Sequence, residues 1–157
     1  MGYLEEKENL EKISKHLDRL GIPYKHQDLG KDSEIVFPAL LCTYRFENKH
    51  NFDVIIYSIG KWINIKCLVL KKNRIEPNFQ TGIYELCLQL NYDLPEVTFS
   101  TNKGDIYIEM DALVESSFED FTEEFKSIPL GIGQLIEIIQ KNYGIEIVDT
   151  EGEAHKK

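Results

Sequence analysis

Asp105, Glu109 and Asp111 fall on one side of an alternating segment whose other side is Ile106, Ile108 and Met110. Same-side acids are what a hard divalent cation asks for. Asp105 belongs to the preceding turn, however, and Tyr107 stands between it and the other two, so the spacing favours a solvated outer face. Glu115, Glu119 and Glu123 step by four, with Asp120 and Glu124 beside them. General acid–base chemistry would need a partner carboxylate in a cleft, and like-charge spacing of this kind reads as the exposed face of a helix. The histidines, His16, His26, His50 and His155, are scattered and show no metal-ligand spacing; His26 beside Asp28 comes nearest to a dyad. Cys42, Cys67 and Cys87 are odd in number, far apart and set in apolar runs, which excludes a disulfide framework and a zinc knuckle. Gly131-Ile132-Gly133 begins like a dinucleotide loop but lacks the third glycine and a preceding parallel strand, and reads as a helix break. Lys66, Lys71, Lys72 and Arg74 form a basic cluster too short and too poor in aromatics for an RNA reader. No catalytic, cofactor-binding or metal-binding residue emerges, and the expected cofactor complement is none.

Composition narrows the classes further. The chain has 157 residues, 42% hydrophobic and 29% charged, with a net charge of −9. A domain of that size buries about 70% of its unfolded surface. The acidic balance argues against a nucleic-acid backbone and an anionic membrane as partners. No apolar run approaches the ~18 residues of a membrane span. Met1-Gly2 opens like a myristoylation signal, but Glu6 stands where Ser or Thr is required. A charged start without an apolar signal core makes the cytoplasm the expected compartment.

The elements that must position these residues can be read from periodicity. Leu10, Ile13, Leu17 and Leu20 predict a helix over 3–20, stopped by Gly21-Ile22-Pro23. A polar stretch, 25–32, follows. Strands are expected at 40–46, after Pro38, at 52–58 and at 61–70, with a polar turn at 47–51. The second strand is apolar on both faces, Val54 and Ile56 against Ile55 and Tyr57, so it is central in a covered sheet or faces a partner. Phe79, Ile83, Leu86 and Leu90 predict a helix from 78, ended by Asn91 as a left-handed cap and by Pro95. Val97 and Phe99, then Ile106, Ile108 and Met110, predict a hairpin turned at 102–105. Phe118, Phe121, Phe125 and Ile128 predict a helix broken at 129–133, and Leu135, Ile136, Ile139 and Tyr143 a second one. The expected order is α-β-β-β-α-β-β-α-α: an α+β fold with an antiparallel sheet of about five strands, in one domain over 3–148 with a polar, frayed tail at 149–157.

The segment LNYDLPEVTFSTNKGDIYIEMDAL, Leu90 to Leu113, together with this order, resembles the YbjN family, whose members are labelled as sensory transduction regulators. Leu90-Asn91-Tyr92, Leu94-Pro95, Phe99, Gly104 and Ile106 to Met110 occupy the places of that family's helix end, Leu-Pro step, Phe-bearing strand, Gly turn and second strand. Phe52 to Tyr57 is similar to its central strand. The resemblance implies a fold like that of type III secretion chaperones, a curved antiparallel sheet with helices, paired as dimers, and it carries no catalytic residue.

The functional expectation is a non-enzymatic protein-binding domain, a chaperone-like adaptor or regulator, with a protein partner that includes a second copy of itself. The alternative is a small-ligand sensor or an enzyme whose site leaves no motif. Tyr84 and Leu88, with Cys87 between them and the core stripe, form the expected self-association or partner surface. A pocket with converging polar groups would favour the alternative, and a flat apolar patch the adaptor.

Overall fold

Leu10, Ile13 and Leu17 are fully buried, and they fix the first helix, α1 (Tyr3–Leu20), against the sheet. Gly21 ends it in the left-handed conformation, φ 71°, and its N–H and that of Ile22 return to the carbonyls of Asp18 and Leu17. The computed structural model describes residues 2–30, 32, 34–46, 50–94 and 96–145. Among them, α1 is followed by β1 (Tyr24–Leu29), β2 (Phe37–Phe46), β3 (His50–Ile59), β4 (Trp62–Leu70), α2 (Gln80–Asp93), β5 (Thr98–Asn102), β6 (Asp105–Leu113) and α3 (Phe118–Tyr143). Residues 47–49 of the expected polar turn, Pro95, the last residues of the expected domain, and the tail with His155 lie outside the described residues.

The fold is α+β: a curved antiparallel sheet packed by helices, with strand order β1-β2-β3-β4-β6-β5. Its inward side is a continuous apolar layer. One row of it runs Cys42, Val54, Cys67, Ile108 and Phe99 across five strands, all 5% exposed or less. α1 lies on β2 and β3, α3 on β6, and α2 against β5. Each fully buried Leu or Ile in this layer contributes about 1.5–3 kcal/mol.

Among the described residues the sheet has six strands, one more than periodicity predicts. The polar stretch after α1 is β1, an edge strand paired to β2 from Tyr24↔Cys42 to Leu29↔Phe37. An edge strand wet on one side needs backbone pairing more than apolar alternation. Pro38 lies inside β2, opposite Asp28 of β1, beyond Leu40↔Ile56 where the β3 register begins, so its missing N–H interrupts no bond to β3.

The C-terminal helix is single, not divided. Phe121, Phe125, Ile128, Ile132, Leu135 and Ile139 are all buried, and they keep one helical phase straight through Pro129. The proline forfeits one backbone bond; the stripe on either side holds both halves to the same layer. Gly131 is there for packing. A Cβ at that position would lie 2.4 Å from Ile108 Cδ1 and 3.1 Å from Val97 Cγ2, so its absence lets α3 approach β6. In α2, Asn91 is helical rather than a left-handed cap. The β5–β6 turn is the tight hairpin expected, with Lys103 at φ 53° and Gly104 at φ 91°.

Candidate functional site

The residues that could have done chemistry are drawn into structural contacts. His16 stacks on Phe121 at 5.2 Å, and its Nε2 lies 3.1 Å from the Ser116 carbonyl, fastening α1 to the start of α3. His26 and Asp28 do not form a dyad. His26 Nε2 is 3.8 Å from Glu11 Oε1, and Asp28 accepts from the Tyr3 hydroxyl at 2.7 Å, so both bind β1 to α1. They line a cleft of about 450 Å³ with Lys7, Gln27, Pro38 and Ala39, its wall part polar and part apolar. Asp105 accepts from the Lys72 backbone N–H at 2.8 Å. Glu109 is held by Lys66 at 3.6 Å and by the Ser100 hydroxyl, and Asp111 by Asn64 Nδ2 at 2.9 Å. Among the described residues, no group of three or more His, Cys, Asp and Glu is placed to hold a metal ion. Burial pushes the thiols of Cys42 and Cys87 up to about 12 and that of Cys67 higher still, so none is a nucleophile near neutrality.

The expected surface on α2 is divided by the fold. Cys87 is buried in the core. Tyr84 turns inward, and its hydroxyl donates to the Gly104 carbonyl at 2.8 Å, tying α2 to the hairpin turn. Leu88 alone of the three faces out, 68% exposed, and its neighbour there is Tyr92, 86% exposed, with Glu85 and Gln89 beside them. Asn91, one residue before Tyr92, does something the sequence did not announce. Its side chain accepts from the Phe99 N–H at 2.6 Å and donates to the Phe99 carbonyl at 3.0 Å. At Phe99 it pairs with the outer edge of β5 as a residue of a neighbouring strand would.

A contiguous exposed apolar row lies on the sheet itself. All three helices cover the inward side, and the other side is open. Ile59, Trp62 and Leu113 are cross-strand neighbours there, 55%, 44% and 42% exposed. Beside them runs the row Tyr57, Asn64 and Asp111, and then Leu41, Ile55, Lys66, Glu109 and Thr98. The Phe37 ring packs on Tyr57 at 5.6 Å, and the Lys66 ammonium sits 5.3 Å from the Tyr57 ring centroid. The hydrogen bond to Tyr57 raises the Lys66 pKa above its ordinary value, partial burial opposes the rise, and the Glu109 carboxylate adds to it. The two-sided apolar character of β3 had signalled this surface. The contributions of Trp62 and Leu113 needed the register.

The fold, an antiparallel sheet with helices packed on it, is YbjN-like and type III secretion chaperone-like. Solved structures similar to it carry that statement. YbjN from E. coli, a candidate transcription regulator, superposes with a TM-score of 0.61 at 16% identity over 84% of this chain and 91% of that one. A chain of the heterodimeric ExoU–SpcU complex, from the type III secretion system of Pseudomonas aeruginosa, gives 0.52 at 12% identity over 80% and 95%. A chain of the ExsC–ExsE complex gives 0.52 at 13% identity over 87% and 92%. No family model matches the chain, and no curated protein matches it by sequence. Among the described residues, no helix is long and apolar enough to cross a membrane.

Proposed function

We propose that this chain is a non-enzymatic protein-binding domain, a chaperone-like adaptor or regulator of the cytoplasm, that receives its partner on the open face of the sheet. One observation carries the reading: the contiguous row Ile59, Trp62 and Leu113, exposed on a face that no described helix covers. Apolar rows rimmed by polar residues mark protein contact surfaces, and an aromatic in such a row is the residue type that dominates contact energies. Two of the similar structures are complexes with a protein partner, which supports the same reading. In the cleft between α1 and β1, Asp28 accepts from Tyr3 and His26 lies beside Glu11, contacts that hold the helix down, and this favours the adaptor over the small-ligand alternative.

Trp62 is the only tryptophan of the chain, so it reports on its own surface. Partners captured from the native host by the parent protein should be lost with Trp62→Glu, while the far-UV spectrum and thermal midpoint are retained. Purified partner should shift the parent's tryptophan emission to shorter wavelength. Equal capture by parent and variant would refute the reading. A second copy of the chain is the other partner we propose, seated on the outer side of α2, where Leu88 and Tyr92 are exposed one turn apart.

A further inference from the structure

We infer that the open face is shaped for an extended segment that carries an apolar residue and, two positions on, a basic one, with the apolar side chain on Ile59, Trp62 and Leu113 and the Lys or Arg beside it on Asp111. This rests on the reading of the face as a protein-binding surface and adds the chemistry of what binds. The rows are defined by successive same-side residues of β4 and β6: Trp62 and Leu113, then Asn64 and Asp111, then Lys66 and Glu109. Same-side residues of any extended chain repeat at the same interval, about 6.8 Å. A segment running along these strands therefore places its residues i, i+2 and i+4 on the three rows in turn.

The charges of the rows differ. Glu109 in the third row is already neutralised by Lys66 and bonded by Ser100. Glu115, beyond the first row, is paired with Lys12. Asp111 in the middle row has, among the described residues, no ion pair; its partner is the neutral amide of Asn64, at 2.9 Å. The cation nearest the apolar row, Lys61, sits 5.8 Å over the Trp62 ring.

Asn64 holds the Asp111 carboxylate in place on this face. It is only 7% exposed although it stands on the open face. Its NH₂ donates to Asp111 and, at 3.4 Å, to Glu109, which fixes the orientation of the amide. Its carbonyl oxygen is buried and has no donor. The amide is spent on the two carboxylates, and Asp111, exposed and not neutralised, is matched by a cationic N–H donor. The chain's net charge of −9 steers such a segment towards the protein.

The test uses two synthetic peptides of equal length, one repeating Leu-Ser-Lys-Ser and the other Leu-Ser-Glu-Ser, so that leucine and the charged residue share a face, titrated into the full-length protein with Trp62 emission as the readout. The expected result is a saturable blue shift with the leucine–lysine peptide and none with the leucine–glutamate peptide. Asp111→Asn, which keeps the acceptor for Asn64, should weaken binding by about fivefold. Glu137→Gln, an exposed acid on α3, should leave it unchanged. Equal binding of both peptides, or equal weakening by Glu137→Gln, would overturn the charge preference and leave the face as a protein-binding surface. Absence of any shift with either peptide also overturns the inference, and host-partner capture by Trp62→Glu then decides separately whether the face itself binds protein.

Discussion

Asn91 spends both ends of its amide on the backbone of Phe99, and this defines what its loss would do. Asn91→Ala leaves an N–H and a carbonyl of a part-buried edge without partners, for a cost of about 1–2 kcal/mol after the gain in helix propensity. Denaturant midpoints should fall accordingly, and Asn91→Asp, which keeps the acceptor but not the donor, should lie between. Glu124 offers the opposite sign. Its pKa is raised, chiefly by burial and then by Asp120 and Glu96, and one of its oxygens has no partner. For an acid whose folded pKa exceeds the unfolded one, the folded state binds the extra proton, so stability increases as pH falls from above the raised value towards the unfolded carboxylate range. Glu124→Gln should therefore raise the thermal midpoint at neutral pH, and the gain should shrink as the pH approaches 4. An unchanged difference across that range would sink the assignment. Neither role was visible in the sequence. Asn at the end of a helical pattern reads as a cap, and an acid among acids reads as solvated surface; only the crossing of α2 over β5 and the packing of α3 give these side chains their partners.

At the scale of elements, local pattern was a good guide wherever one segment met one layer. The stripe of α1, the hairpin of β5 and β6, and β3 and β4 all follow from periodicity and turn chemistry. It failed where the deciding contact comes from elsewhere. β1 has no apolar alternation and forms because β2 offers it a backbone. Pro129 and Gly131 look like a break, yet the apolar phase on both sides of them is the same, and tertiary burial overrides local preference. Gly131→Ala measures that override. The substitution gains about 1 kcal/mol of helix propensity and meets Ile108 and Val97 at 2.4 and 3.1 Å, an overpacking cost of about 1–3 kcal/mol. We expect a net loss near 1 kcal/mol in chemical denaturation, partly relieved when Ile108→Val removes the nearest methyl group. A stabilised Gly131→Ala would mean that α3 is free to move off the sheet.

The whole molecule is one layer of helices on one sheet, and two of its exposed apolar places, the open face and the Leu88–Tyr92 turn of α2, lie on different sides of it. Each can be silenced alone. Leu88→Glu should give a folded monomer if α2 is the self-association surface, with the parent sedimenting as a dimer at tens of micromolar; a monomeric parent would rule that surface out. The sequence hinted at both places, through the two-faced β3 and the second stripe of α2, but placed Tyr84 and Cys87 on the outside because helical phase alone does not say where the hairpin turn will reach. The plug that Asn91 sets in β5 also governs how copies of this chain could accumulate. A sheet with two bare rims is a repeat unit: each molecule can accept one at either end, and nothing halts the series. Here the β1 rim is bare, while on the β5 rim Asn91 occupies the backbone of Phe99. Two molecules joined at β1 by a two-fold axis would turn outward only the rims that carry Asn91, so a fibre that adds strands at Phe99 of β5 would first have to pull Asn91 out.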